Sequence, residues 1–250
     1  MLRLRINKFS PPSPTLWLLD GSLVRDDDLA FFTERIGVRE RHRYAGFTRR
    51  ERQRQFVLGR MLLRFAVAAL TRLSPDALGV VERPGNAPEL MLPDGQCLIP
   101  YFSLAHSRDW VGCVVSSDAR LGLDIEVNDP NRDVAAISEF ALHPNEQRWL
   151  LRQPQPERRS AFYQLWSTRE ALYKLASGLD CGIEASSLVA ANDQLASQGC
   201  RWHRYTLPHH GLTVVVCSDR PLPTLREVEL TGLTRSDWLA ARRDGQSFRA

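Results

Sequence analysis

The stretch Leu121-Gly122-Leu123-Asp124-Ile125-Glu126-Val127 places apolar side chains at odd positions and Gly, Asp and Glu at even ones. On a strand, residues two apart share a face, so Asp124 and Glu126 project side by side, roughly 7 Å apart at Cβ. Acidic residues are depleted in strands and repel one another there. A divalent cation relieves that repulsion, and two carboxylates with open positions suit Mg2+ shared with substrate phosphates. Gly122 leaves room on the same face. A solvent-facing acidic strip is the plainer alternative. A second group, Trp166-Ser167-Thr168-Arg169-Glu170-Ala171-Leu172-Tyr173-Lys174, sets Trp166, Glu170 and Lys174 four apart, on one face of a helix. Glu170 and Lys174 can form a simple surface pair worth about 0.3–0.5 kcal/mol. They can also supply a third metal carboxylate, or a general base, beside an ammonium for phosphate. Only Lys8 and Lys174 are lysines among 33 basic residues, so a compact point charge is wanted at 174. A third group, Phe102-Ser103-Leu104-Ala105-His106-Ser107, is expected to carry His106 to a hairpin tip, either toward a ligand or merely into solvent.

Several elements must position these groups. A strand is expected at Thr15–Leu19. Thr48 and Glu51 form a capping box, and helical spacing continues from Phe56 to about Leu73, where Ser74-Pro75 ends it. Pro84-Gly85-Asn86-Ala87-Pro88 reads as a loop. Tyr101–Ala105 and Trp110–Ser116 read as a hairpin around a His106–Asp109 turn, with Leu121–Val127 as a third strand. Pro144 opens a helix through Leu151, and Glu157–Ser177 is a long helix closed by Gly178. Ser187–Ala191, Cys200–Leu207 and Leu212–Ser218 are further strands. Each half therefore runs strand, helices, long helix, meander, and GCVVSSD ending at Asp118 is echoed by VVVCSD ending at Asp219. The expectation is an α+β fold: a pseudo-dimer of two similar α/β subdomains, residues 1–119 and 120–250, each with a long helix packed on an antiparallel meander. Two meanders alike without duplication are the alternative. A cleft between the halves is the natural ligand site.

Composition narrows the classes. With 250 residues, 43% hydrophobic and 25% charged, the chain has the mix of a folded globular protein, which disfavours disorder and fibrous folds. No run approaches the roughly 18 apolar residues of a membrane span, and the start of the chain lacks a signal-like apolar region. Five cysteines (97, 113, 181, 200 and 217) without a C-x-x-C spacing read as reduced thiols of a cytoplasmic protein. The net charge is +4, but residues 39–64 hold nine Arg against Glu40 and Glu51, a local +7. Such a zone suggests an anionic ligand or partner, or a solvated helix face. It lacks the aromatic-basic interleaving and motifs of a nucleic-acid binder.

In this order the motifs resemble those of the surfactin-synthetase-type 4'-phosphopantetheinyl transferases. The resemblance is carried by Gly59-Arg60-Met61-Leu62-Leu63-Arg64, Asn86-Ala87-Pro88, Phe102–Ser107, Gly122–Glu126 and Phe162–Leu179, covering roughly residues 40–180. It implies a pseudo-dimeric fold with coenzyme A as co-substrate and Mg2+, or Mn2+, in the central cleft. It implies transfer of the 4'-phosphopantetheine arm to a serine of an apo acyl or peptidyl carrier protein, of fatty-acid, polyketide or peptide type, with adenosine 3',5'-bisphosphate leaving. By position, Asp124, Glu126 and Glu170 would hold the metal, with Glu170 and Lys174 catalytic. Arg43, Asn86, Pro88, Ala105, His106, Arg169 and Lys174 would contact coenzyme A. No nucleic acid and no membrane is implied, and a single intramolecular cleft implies a monomer.

Three positions depart from the family pattern. Arg169 stands for the usual Lys, which exchanges a point donor for a fork. Ala105 stands for a hydroxyl residue, and Asn86-Ala87-Pro88 for Gly-Lys-Pro. Weaker or differently anchored coenzyme A is expected, with the chemistry kept. The alternative is a relative that binds coenzyme A or a carrier protein without transfer.

Overall fold

The computed structural model describes residues 13–71, 73–83, 86–91, 100–177 and 201–244. The first part of the chain forms β1 (Thr15–Asp20), α1 (Asp26–Thr33), α2 (Val38–Ala45), α3 (Arg50–Thr71), β2 (Gly79–Arg83), β3 (Asn86–Met91), β4 (Tyr101–Ser107) and β5 (Trp110–Ser116). There follow β6 (Leu121–Val127), α4 (Val134–Ala141), α5 (Pro144–Leu151), α6 (Arg158–Ser177), β7 (His203–His209), β8 (Leu212–Ser218), β9 (Arg226–Leu230) and α7 (Arg235–Asp244).

Alternation along the strands builds the layers. One sheet has the order β4-β5-β1-β9 and the other the order β6-β8-β7, with β2 and β3 as a separate hairpin. Leu16 and Leu18 of β1, Val114 of β5, Leu121, Leu123 and Ile125 of β6, and Leu212, Val214 and Val216 of β8 pack together between the two sheets. The opposite face of the first sheet, with Trp17, Leu19, Val111, Cys113 and Val115, packs on Val57, Leu58, Met61 and Phe65 of α3. The opposite face of the second sheet, with Val215 and Cys217, packs on Ala171, Leu172 and Leu175 of α6. The mixed α/β architecture is thus helix, sheet, sheet, helix. Cys113 and Cys217 are buried free thiols.

Within each sheet the chain makes the same connection: a strand, a long helix, then a hairpin whose second strand lies in the middle. β5 is antiparallel to β4 and β1, and β8 to β7 and β6. The sheets meet where β4 runs beside β6. No main-chain ladder joins these two strands. Ser103 Oγ accepts from Leu123 N at 3.0 Å, and Ser107 Oγ accepts from Val127 N at 3.1 Å. The chain after Arg226 then returns to the first sheet: β9 pairs in parallel with β1, and Trp238 of α7 packs against Phe32 and Phe65. A division at 119/120 therefore separates the sheets only as far as β8.

Several expected boundaries move. His106 is not at a hairpin tip: β4 continues through Ser107, His106 faces Val111, and the turn is Arg108-Asp109, with Arg108 at φ +51°. α3 starts at Arg50 rather than directly after Thr48, and Gln53 N bonds Arg49 O. Asn86–Pro88 belongs to β3 instead of a loop. Gly178, Leu179, the Ser187–Ala191 strand and Cys97, Cys181 and Cys200 lie outside the described residues. Among those described, no helix is long and apolar enough to cross a membrane.

Gly122 fixes how closely α6 approaches β6. A Cβ there would lie 1.8 Å from Ala171 O and 2.7 Å from Leu175 N, both main-chain atoms that cannot swing aside. Gly122→Ala should therefore cost at least the upper end of the ~1–3 kcal/mol typical of overpacking. A denaturant midpoint equal to that of the unchanged chain would show that α6 is not seated there.

Candidate active site

Because Leu121, Leu123 and Ile125 turn into the inter-sheet core, Gly122, Asp124 and Glu126 turn to the face that carries α6. The close seat on Gly122 brings Lys174 down onto β6. Its ammonium donates to Leu123 O at 2.8 Å and to Asp124 Oδ1 at 3.0 Å. Asp124 is 7% exposed, and burial pushes its carboxyl up to about 6. The Lys174 ammonium opposes that shift; Glu126, of like charge, adds a little to it. Ser167 lies close enough to draw the carboxyl slightly down, yet Asp124 Oδ2 and Ser167 Oγ are both buried without a well-formed hydrogen bond. A buried carboxylate oxygen without a donor is costly and leaves an open acceptor.

Glu126 is held from two sides. Ser107 Oγ donates to its Oε2 at 3.0 Å, and Arg132 Nη1 stands 3.7 Å from the same atom. Glu170 is half-buried on α6, one turn before Lys174, with no hydrogen bond or ion pair among the described residues. Among those residues no three His, Cys, Asp or Glu side chains gather closely enough to hold a metal ion. The structure thus brings Asp124 and Glu126 to one face, with Lys174 neutralising the first, and leaves Glu170 apart from a closed trio. Like charges without a cation between them keep apart for electrostatic reasons. The donor set still fits a hard divalent ion, which takes one or two protein carboxylates and fills its remaining positions with water and phosphate. The orphaned Asp124 Oδ2 is the observation that supports this fit.

His106 borders the same face. Arg52 Nη1 lies 3.0 Å from its Nε2 and also bonds Gln55 Oε1 at 3.0 Å. Enclosure by the protein, then Arg52 and Lys174, lower the imidazole to about 4. The residue is nevertheless exposed. Arg52 was not distinguished from its eight neighbouring arginines by the sequence; a Thr48-anchored helix facing the Phe102–Ser107 strand was the available signal.

The remaining candidates are placed differently. Ala105 is buried in the inter-sheet core and offers no polar group. Arg169 is tied to Ala141 O and to the buried Glu146, with Nη1 3.7 Å from Oε2, and so braces α6 against the α4–α5 corner. Asn86 and Pro88 lie on β3, an element that approaches α6. Arg43 is exposed on α2, its guanidinium 5.8 Å from the Phe56 ring centre. The basic zone divides in two. Arg60 and Arg64 are 5% and 4% exposed and converge on Glu40, itself 1% exposed, while Arg54 binds Gly21 O, Val24 O and Asp26. Arg39, Arg41, Arg43, Arg49 and Arg50 remain exposed.

The unfolded chain takes up a proton at His106 near pH 6.5, whereas the folded chain does so only near 4. His106 should therefore cost stability as pH falls through this window and cost nothing above it. NMR titration of the His106 ring should give a midpoint well below 6.5, and Arg52→Gln should raise it; a midpoint at 6.5 in both would remove Arg52 and Lys174 from its surroundings.

Comparison with known proteins gives a consistent answer. A family model for the 4'-phosphopantetheinyl transferase superfamily matches residues 120–216, which include β6, α6, β7 and most of β8. The chain is 31% identical over 166 residues to the 4'-phosphopantetheinyl transferase psf-1 of Bacillus pumilus, covering 65% of this chain and 64% of that one. It is 28% identical over 160 residues to a 4'-phosphopantetheinyl transferase of Bacillus subtilis, covering 63% and 68%. With HetI of Nostoc, also named a 4'-phosphopantetheinyl transferase, identity is 25% over 126 residues, covering 50% and 52%. The matched part of the chain thus spans about two thirds or less of these relatives' length. The motif-bearing strand and helix that form the Lys174–Asp124 contact fall inside the matched region, so it is residues 120–216 that match the 4'-phosphopantetheinyl transferase superfamily.

Proposed function

We propose that this protein transfers the 4'-phosphopantetheine group of coenzyme A to a serine of an apo acyl or peptidyl carrier protein, with Mg2+ and release of adenosine 3',5'-bisphosphate. The observation that carries the reading is the Lys174 bridge to Leu123 O and Asp124 beside the open Asp124 Oδ2. This is a cation and an anion-lined metal seat side by side, as a diphosphate substrate needs. The names of the relatives support it.

In this reading Asp124, Glu126 and Glu170 hold the metal, which supplies charge neutralisation on the diphosphate when bound. Lys174 moves its ammonium from Asp124 toward a phosphate oxygen. His106, neutral at physiological pH, accepts from Arg52, and the pair presents a cationic edge to coenzyme A phosphate. Arg43 adds charge from α2, and Asn86 and Pro88 line the nucleotide side. Ala105 and Arg169 take part through the walls they build. Glu170, or a water held on Glu126, takes the serine proton as the oxygen attacks the pantetheine-side phosphorus. The exposed arginines of residues 39–50 attract polyanionic coenzyme A and an acidic carrier protein. The repeated strand–long helix–hairpin connection supports the pseudo-dimer of two subdomains, residues 1–119 and 120–250, with β9 and α7 returning to the first. We read the protein as a cytoplasmic monomer.

A specific observation favours one second reading, a relative that binds coenzyme A or a carrier without transfer: Ala105 and Arg169, two nominal coenzyme A contacts, are spent on packing and on Glu146.

Incubation of an apo-carrier protein with coenzyme A and Mg2+, followed by intact mass, separates the two. A mass gain of one phosphopantetheine, lost on chelation, is expected; an unmodified carrier across a panel at saturating coenzyme A would establish the second reading. Asp124→Ala and Glu170→Gln should each lower transfer by about 100-fold or more with the fold unchanged by circular dichroism. Lys174→Ala should act chiefly on the KM for coenzyme A, and an unaltered KM would remove Lys174 from the phosphate site.

A further inference from the structure

The side chain that fixes Glu126 comes from the other sheet. Ser107 is the last residue of β4, and both bonding directions of its hydroxyl are assigned. Oγ accepts from Val127 N at 3.1 Å and donates to Glu126 Oε2 at 3.0 Å. A free seryl hydroxyl turns its single proton to suit its surroundings. Here the Val127 N–H occupies the lone-pair side, so the proton is left to point at the carboxylate. A bond to an ionised acceptor is stronger than a neutral one. Ser107 is itself held from behind. It pairs with Trp110 across the hairpin, and the intervening Arg108 O accepts from Gln55 Nε2 of α3 at 2.7 Å. Gln55 is buried, so the turn beside Ser107 is anchored in the first sheet's long helix.

The other neighbour of Glu126 holds it less firmly. Arg132 Nη1 stands 3.7 Å from the same Oε2, beyond hydrogen-bond reach, and its side chain is 35% exposed. A pair this far apart and this open to water contributes little and sets no direction. Both contacts fall on Oε2, which leaves Oε1 as the oxygen for a further ligand.

We propose that Ser107 is a positioning residue, whose hydroxyl holds Glu126 by Oε2 so that Oε1 stays available to a divalent cation. The inference rests on the reading of Asp124, Glu126 and Glu170 as the residues that hold the metal. Ligating carboxylates depend on such partners, and loss of the partner typically costs about 10–100-fold in metal affinity. The holder belongs to β4 and the held carboxylate to β6. The junction of the two sheets therefore sets the shape of the metal seat, and α3 takes part in it through Gln55.

The test is Mn2+ uptake by the full chain with coenzyme A present, followed through the electron paramagnetic resonance signal of free Mn2+. Ser107→Ala should weaken uptake by about tenfold or more, and Ser107→Thr, which keeps the hydroxyl, should stay within about threefold. Ser107→Val, of the same shape as threonine without the hydroxyl, should follow alanine. At saturating Mg2+ the KM for coenzyme A of Ser107→Ala should match that of the unchanged chain; a KM raised as much as Mn2+ uptake is weakened would mean a distorted site and overturn the proposal. Normal uptake by folded Ser107→Ala, or a threonine chain as weak as the valine one, would overturn the positioning role alone. No uptake by the unchanged chain would overturn the metal reading and this inference with it. Unfolding of both the alanine and the valine chains would assign the hydroxyl to the sheet junction instead, and the proposal would fall.

Discussion

The direct seating of α6 on β6 is the constraint from which the candidate site follows. A helix normally stands off a sheet by the length of its side chains. Here Gly122 removes the intervening atom, and the main chain at Ala171 and Leu175 fills its place. Lys174 then reaches Leu123 O and Asp124 without being fully extended into solvent, and a buried carboxylate finds a cation. The burial that raises the Asp124 carboxyl and the ammonium that lowers it are both products of that one approach. The acidic pair tolerates a strand because the strand presents it to a helix bearing a counter-charge.

The basic segment shows the same economy in a different form. Two of its nine arginines face inward and are consumed by Glu40, where they join α2 to α3. A buried ion pair of this kind is a poor source of net stability, since desolvation offsets the attraction; what it sets is geometry. Another, Arg54, closes the turn after β1, and Arg52 turns to His106. The local excess of positive charge is therefore carried to solvent by fewer side chains than the sequence count suggests, and those lie on α2 and the start of α3.

How much of this could be read beforehand depended on which force decided each element. β6 was legible because its alternation separates two unlike surroundings, and α5, α6 and β8 because their periodicity and punctuation agree. The small helices α1, α2, α4 and α7 were not, since tertiary packing rather than a strong apolar stripe holds them. His106 was read as a turn residue because the hairpin loop looked four residues long; Arg108 adopts a left-handed backbone without being glycine, which lets the strand run on through Ser107. At the site, residue type identified Asp124, Glu126, Glu170 and Lys174, and Gly122 was singled out for the space it leaves. Arg52 was hidden among equivalents. Arg169 and Ala105 carried a family expectation, yet local chemistry, a buried Glu146 in one case and an apolar inter-sheet layer in the other, claimed them.

The parallel pairing of β9 with β1 joins residues more than two hundred positions apart. Until that late strand arrives, β1 presents an open edge, and the pocket between Phe32 and Phe65 that Trp238 fills stays vacant. The opening layer can therefore close only after β9 and Trp238 have left the ribosome. A fragment stopped after β8 would carry a sticky edge and an unfilled aromatic socket, both of which invite aggregation.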